Sequence, residues 1–584
     1  MDSSFVFYVI VLLSFAGLYR VFEKAGEKGW KALVPFFNFY VWLQMLQRPK
    51  WWIVFFIIPG VNVLMFAILM FQTAYAFGKR SFFDLFSASV LCFFYVHYLG
   101  FLTNDIKWKG ADDFNGLKGG FIKNWLDPIF FAIVAASIIR TFFLEAFTIP
   151  TSSLEKSLLV GDFLFVNKLS YGSRVPMTPL AFPLAHHTIP VLNTKAYLEF
   201  WKLPYTRLPG YKKIKNNDIV VFNYPDGDTV ALNSQDRSYY NLCRMIGLQQ
   251  LNQQEMISTY YPDAVSVPAG RDIVKNYSDQ FGKVVGRPID KREHYVKRCV
   301  ALAGDELEIK DGQLFINKKP AENPEHLQHF YTVKAKSGTI TEEWLDEMNV
   351  NADEQGLMQT VGDTDIFKIN LEDQFAEQLK TTNGFFVVER DNSPKDEFDY
   401  NIFPHDPHFK WNNDNFGPLL MPKAGATVTI DTANISLYER IIDVYESNDF
   451  RIEGGKIFIN GKVATQYTFK QDYYWMMGDN RHNSADSRSW GFVPFDHVVG
   501  TPVFVWFSLK YNDKQPISGQ WSFKTIFANE KEGKMRWSRF FCFVSDKGLS
   551  KSYFLHFLFG FSLWYGISKY LKYRKSKKDV AKVS

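Results

Sequence analysis

Apolar residues in this chain gather towards its two ends, and that distribution constrains the fold more than any other feature. Runs at about 5–22, 51–77, 84–102 and 129–149, with a fifth at about 553–571, each approach the roughly 20 residues that a helix needs to cross a bilayer. Aromatic content is high, at 17%. Mean hydropathy is nevertheless −0.15, so the long segment between the fourth and fifth runs must be polar. Pro59-Gly60 and Asn62 interrupt the second run, which leaves open whether it kinks or re-enters.

Basic residues orient these runs. Arg20, Lys24, Lys28, Lys31, Arg48 and Lys50 lie between the first two, and Lys107, Lys109, Lys118 and Lys123 between the third and fourth. Lys572, Arg574, Lys575, Lys577 and Lys578 follow the fifth. If all three clusters face the cytoplasm, five spans close with the N-terminus outside, the C-terminus inside and residues about 150–550 outside. Gly78-Lys79-Arg80 is a small exception. No short basic stretch precedes the first run, so it is not expected to be a cleaved signal peptide. A net charge of +5 on 584 residues is too small to argue for nucleic-acid binding. The four cysteines form no C-x-x-C and no zinc spacing. Of these, Cys243 and Cys299 share the polar segment, and nothing in the sequence says whether they pair.

The polar segment reads as β-rich. Runs such as "DFLFVNKL", "NDIVVFNYP", "ATVTIDT" and "GKIFINGKVATQYTF" are β-branched or aromatic and bounded by Gly, Asn, Asp and Pro. "LFINKKP" and "IFINGKV" read as two hairpins turning at Asn-Lys and Asn-Gly. Polar stretches at about 173–216, 230–290 and 320–445 look like insertions into that β core.

Three stretches carry candidate chemistry. In "IPTSSLEKSLLVGD", Thr151, Ser152 and Ser153 follow the fourth apolar run. They suit a helix cap, or a nucleophile if a base lies near. In "YVKRCVALAGDELEI", Lys297 and Arg298 interrupt an apolar strand pattern. Such a lysine either faces solvent or, if turned inward, loses its charge more easily and can act as a base. "MMGDNRHNSADSRSWGFVP" is richer in Asp, Asn, Arg and Ser than a turn requires. Arg481 and Arg488 argue against a cation site there.

In this order the stretches resemble bacterial signal peptidase I, the membrane-bound Ser/Lys protease family that removes signal peptides. The resemblance covers about 125–310 and 450–510 and includes "GDNRHNSADSR", which matches the family's final box at every specified position. It implies Ser153 as nucleophile, Lys297 as general base, Thr151 as oxyanion donor and Ser484 as the residue orienting the lysine. Asp479, Asn480, Asp486, Arg488 and Arg298 would support the site. Phe147, Ile149, Leu154, Leu158 and Val296 would line pockets for small side chains; ordinary β-core packing is the alternative for each, and for Leu158 the two readings stand level. Leu154, Lys156, Ala301 and Ala303 depart from the family's usual residues, and His482 stands where Asp is common. His186, His187, His294, His405 and His408 follow no ligand spacing, and His294 lies an odd number of residues from Lys297, on the opposite strand face.

The expected fold is an N-terminal α-helical membrane region, a mainly antiparallel β catalytic domain with insertions, and a C-terminal transmembrane helix. Its expected parts are a multi-span region at 1–124, a transmembrane helix at 125–149, catalytic core at 150–312 and 446–515, an inserted region at 313–445, a linker at 516–552 and the last helix with its basic tail at 553–584. The resemblance implies no metal and no cofactor. It also implies exported preproteins and the lipid bilayer as partners, no nucleic acid, and a bacterial inner-membrane location with the catalytic domain on the periplasmic side. Whether the N-terminal multi-span region guides substrates, binds the secretion channel or only anchors the chain stays open. Two alternatives are an inactive membrane-anchored binding relative and a Ser/Lys protease devoted to one partner.

Overall fold

The computed structural model describes residues 3–103, 106–110, 127–189, 194–235, 237–255, 263–341, 344–345, 348, 356–509 and 535–580. Lys118, Lys123 and most of the expected linker lie outside them. The chain forms two compact units. One comprises Met1–Glu145, Gly172–Pro209 and Pro288–Arg292; the other comprises Ala146–Tyr171, Gly210–Arg287 and Glu293–Ser584.

The first unit is helical. Helix Ser3–Lys24 contains the described segment long and apolar enough to cross a membrane, Phe5–Lys24. The second run does not form one span. Its first part is the 3₁₀ segment Lys50–Phe56, and after Pro59-Gly60 an α-helix runs from Val61 to Ala76, because proline removes a backbone donor and glycine accepts the positive φ of 83° at the break. The third run bends by 109° between Phe82–Val90 and Cys92–Leu102. Leu18, Phe22, Trp42, Leu43, Leu69 and Val96 make the centre of the unit's apolar core. Trp201, from the first polar stretch, stacks on Phe7 at 4.4 Å and donates from Nε1 to the Tyr8 hydroxyl at 3.2 Å. That stretch therefore belongs with the helices rather than with the β core.

The fourth run departs from its expected helix at its end. Helix Asp127–Ile138 and one wider turn give way to a strand, β1 (Leu144–Thr148). Pro150 disfavours helix for Ile149, whose N–H and C=O instead bond Asp162 O and Gly161 N–H. β1 is the edge of the main sheet in the second unit. The other strands are β2 (Asp162–Asn167), β3 (Ile219–Asn223), β4 (His294–Ala301), β5 (Tyr473–Met477), β6 (Val493–Pro494), β7 (Val498–Ser508), β8 (Cys542–Ser545) and β9 (Gly548–Leu549). Their order is β1-β2-β7-β3-β4-β5-β6, with β8 on β7 and β9 on β8. The registered pairs are antiparallel.

Both anticipated hairpins form. Gln313–Ile316 pairs with Lys319–Pro320, and Lys456–Ile459 with Lys462–Val463. Asn317, Lys318, Asn460 and Gly461 all have positive φ, as a two-residue turn matched to strand twist requires. The stretch at 230–290 is largely a pair of helices, Tyr239–Glu255 and Asp263–Asn276. They approach so closely that a Cβ on Gly270 would stand 1.8 Å from Cys243 O. Within 320–445, four strands (Gly356–Val361, Thr364–Glu372, Gln328–Lys336, Phe385–Arg390) make a separate sheet around Val333, Ile369 and Leu371. The four cysteines are free and buried, so Cys243 and Cys299 are not paired. The last helix, Phe554–Val580, is largely exposed along its apolar positions, including Leu555, Phe559 and Trp564.

Candidate active site

The turn carrying Ser153 begins where β1 ends. No helix starts at Leu154: residues 151–158 are turns, stitched by Glu155 N–H to Ser152 O and Leu158 N–H to Leu154 O. The hydroxyl cluster therefore caps no helix. The Ser153 carbonyl accepts the Asn480 N–H at 3.1 Å, and the Asn480 side chain reaches Ser152 O at 3.5 Å. Thr151 Oγ1 lies 3.5 Å from Ser153 Oγ.

β4 brings Lys297 to this turn. Its Nζ is in hydrogen-bond contact with Ser153 Oγ, across 144 residues of sequence. Lys297 is 3% exposed and 5.9 Å from the centre of the Tyr295 ring. Burial lowers its pKa to about 8; Asp486 and Asp479 oppose that shift and Arg488 adds to it.

The third stretch completes the site. Asp486 accepts Arg488 N–H, Nε and one terminal nitrogen, together with the Gly478 N–H. Burial raises the Asp486 carboxyl, but Arg488 and the hydrogen bonds outweigh it and hold the carboxyl below its ordinary value. Arg298 forks onto Asp479 at 2.7 and 2.6 Å, and Ser157 Oγ donates to the same carboxylate at 2.7 Å. Gly478 has no room for a side chain: a Cβ there would stand 2.3 Å from Ser484 Oγ and 2.5 Å from Ser153 O. The buried Ser484 Oγ makes no hydrogen bond among the described residues, to Lys297 or to any other group.

The five apolar residues separate into two groups. Ile149, Leu154 and Leu158 are buried in a cluster with Leu164, Val221 and Val505, whereas Phe147 and Val296 are half-buried against it. Phe147 meets the His294 ring edge-on at 4.7 Å. His482 accepts the Phe330 N–H at 2.9 Å and contacts Asp414 at 2.8 Å, so it ties the inserted sheet to the loop. Sequence reading missed Ser157, Asp162 and Arg539, which brace the serine turn. Nothing in the spacing of a serine within "EKSLL", or of an arginine beyond the last motif, signals that role.

Two family models match the chain. That of the signal peptidases, peptidase S26, matches residues 122–363 and 424–507, a little over half of it. A family of unknown function (DUF5684) matches residues 30–111. The chain is similar to signal peptidase I of Helicobacter pylori strain J99, 24% identical over 432 residues that cover 74% of this chain and 94% of the relative. It is 22% identical over 405 residues to signal peptidase I of Buchnera aphidicola subsp. Baizongia pistaciae, covering 67% and 76%. A shorter match, 49% identical over 49 residues, joins it to signal peptidase I of Aquifex aeolicus, covering 8% and 19%.

Proposed function

Since the chain belongs to the signal peptidase, peptidase S26 family, and is a peptidase, we propose that it removes N-terminal signal peptides from exported preproteins with a Ser153/Lys297 dyad. The observation that carries this reading is a buried lysine amine, its pKa lowered to about 8, touching a serine hydroxyl. Neutral Lys297 takes the Ser153 proton as Oγ attacks the scissile carbonyl. The Ser153 N–H and the Thr151 hydroxyl stabilise the tetrahedral oxyanion. Lys297 then passes its proton to the leaving amine, and the acyl-enzyme forms as the peptide C–N bond breaks. Water, deprotonated by Lys297, hydrolyses the ester and restores the Ser153 hydroxyl. Ser484, whose buried Oγ makes no hydrogen bond among the described residues, receives one from the amine once Lys297 has left Ser153. Asp479, Asn480, Asp486, Arg488 and Arg298 hold these groups in place.

The Ala-x-Ala preference is assigned to Phe147 and Val296, which pack half-buried against the cluster of Ile149, Leu154 and Leu158 and leave room beside the serine for small side chains alone. The chain spans the inner membrane several times, with the catalytic unit on the periplasmic side, and the apolar part of helix Phe554–Val580, up to about residue 571, is one of the spans. The loop charges and the exposed apolar surface of that helix support this arrangement. Cleavage of a preprotein with an Ala-x-Ala site by the purified full chain tests the proposal. Product is expected from the wild type and none from Ser153→Ala; equal cleavage by both would refute it.

A further inference from the structure

The family match ends at residue 507, yet the segment from 535 onward is built into the site. β8 pairs with β7 at Val505–Cys542 and Phe504–Phe543, on the edge of β7 opposite β2. Cys542 is buried in the apolar cluster that holds Ile149, Leu154 and Leu158. Two polar contacts reach further.

The first concerns Asp162, at the end of the serine turn, which is fully buried. A buried carboxylate needs a cation and hydrogen-bond donors. Leu159 N–H and Ser508 Oγ supply two donors, at 2.8 and 2.6 Å. The cation is Arg539, whose Nε and one terminal nitrogen fork onto the carboxylate at 3.1 and 2.5 Å. That terminal nitrogen also reaches Ser157 O at 3.4 Å. The second contact is at the hairpin between β8 and β9, where Asp546 O accepts an N–H from Arg298 at 2.7 Å.

These contacts form a closed ring. It runs from Arg539 to Asp162 and Ser157, from Ser157 Oγ to Asp479, from Asp479 to Arg298, and from Arg298 back to the C-terminal hairpin at Asp546. Ser157 stands four residues after Ser153, and Arg298 directly follows Lys297. We propose that Arg539 and the hairpin carbonyl of Asp546 are positioning groups of the active site, which hold the turn carrying Ser153 against the strand carrying Lys297. The hairpin is also packed to the last helix, with Phe541 stacked on Phe557 at 4.6 Å, so the helix and the dyad share one support.

This inference rests on the Ser153/Lys297 reading, and its test separates the two. Arg539→Lys keeps the charge but loses the fork; Arg539→Ala removes both. In the detergent-solubilised full chain, kcat and KM for an Ala-x-Ala preprotein are measured across pH, beside thermal unfolding. Arg539→Ala is expected to lower kcat about tenfold or more with KM little changed, and to move the acid limb of kcat to higher pH as water reaches Lys297. Arg539→Lys is expected to do the same to a smaller degree. Adding Asp162→Asn to Arg539→Ala should cost less than the sum of the two single changes. Folded variants with wild-type kcat and an unmoved acid limb overturn the inference, and if Arg539→Ala does not fold, Arg539→Lys decides on the same readouts. Activity in Ser153→Ala would instead overturn the dyad reading. An inactive Ser153→Ala beside unaffected Arg539 variants overturns only the positioning role.

Discussion

The two faces of β4 carry neighbouring basic residues under opposite electrostatic conditions. On one face Lys297 touches a serine hydroxyl, and among the described residues no carboxylate forms an ion pair with it. On the other Arg298 is locked by both oxygens of Asp479 and two backbone carbonyls. Burial without a counter-charge lowers an amine's pKa, whereas burial within a fork keeps a guanidinium charged and rigid. One face is thereby suited to moving a proton and the other to holding shape.

The sharpest way to break this contrast is to change the reactive face. Ser153→Ala and Lys297→Ala should each lower kcat by about 10⁴-fold or more, as removal of a nucleophile or its base does elsewhere. Lys297→Arg should fare no better, because a guanidinium stays protonated at working pH. Appreciable turnover by Lys297→Arg in a preprotein cleavage assay would show that a charged group suffices there. On the structural face, Asp479→Ala leaves Arg298 without its carboxylate and should cost about 3–5 kcal/mol of stability, read as a lowered Tm and lost activity together.

Smaller effects sharpen the assignment of the hydroxyls. Thr151→Val should lower kcat about 10²-fold while leaving Tm and KM nearly unchanged, since it removes a donor used only when the oxyanion forms. Ser484→Ala should cost about tenfold in kcat if it serves Lys297 only after the amine leaves Ser153, since among the described residues its Oγ makes no hydrogen bond. A larger loss for Ser484→Ala than for Thr151→Val would reverse that ranking.

Which side chains meet at the candidate site was more legible than the architecture around it. Ser153, Lys297 and the loop Asp479–Arg488 lie in short stretches whose residue types are unusual for their surroundings, and the fold brings them together. The hairpins were legible for the same local reason, since Asn-Lys and Asn-Gly favour positive φ between two strands. The helix pair at 239–276 was not, because its polar composition hid a narrow seam of Cys243, Gly247, Val267 and Gly270. The fourth apolar run misled at its end, where Pro150 and the pairing with β2 override apolar content. Leu154 and Leu158 show the limit of residue type alone, since a leucine beside the candidate serine reads the same on a pocket wall or within the core. The ring through Arg539 depends on contacts spanning hundreds of positions, which no local pattern encodes.

The central claim is that an uncharged Lys297 is the base for Ser153, and the pH dependence of kcat tests it most directly. Only the neutral amine can take the proton, so activity must rise with pH as Lys297 deprotonates. With an ordinary lysine pKa of 10.5 lowered by burial to about 8, kcat for an Ala-x-Ala preprotein should climb through an inflection near pH 8 and then level. An inflection near the ordinary histidine value that disappears in His294→Ala, or a rate that is flat from neutral to alkaline pH, would contradict the account.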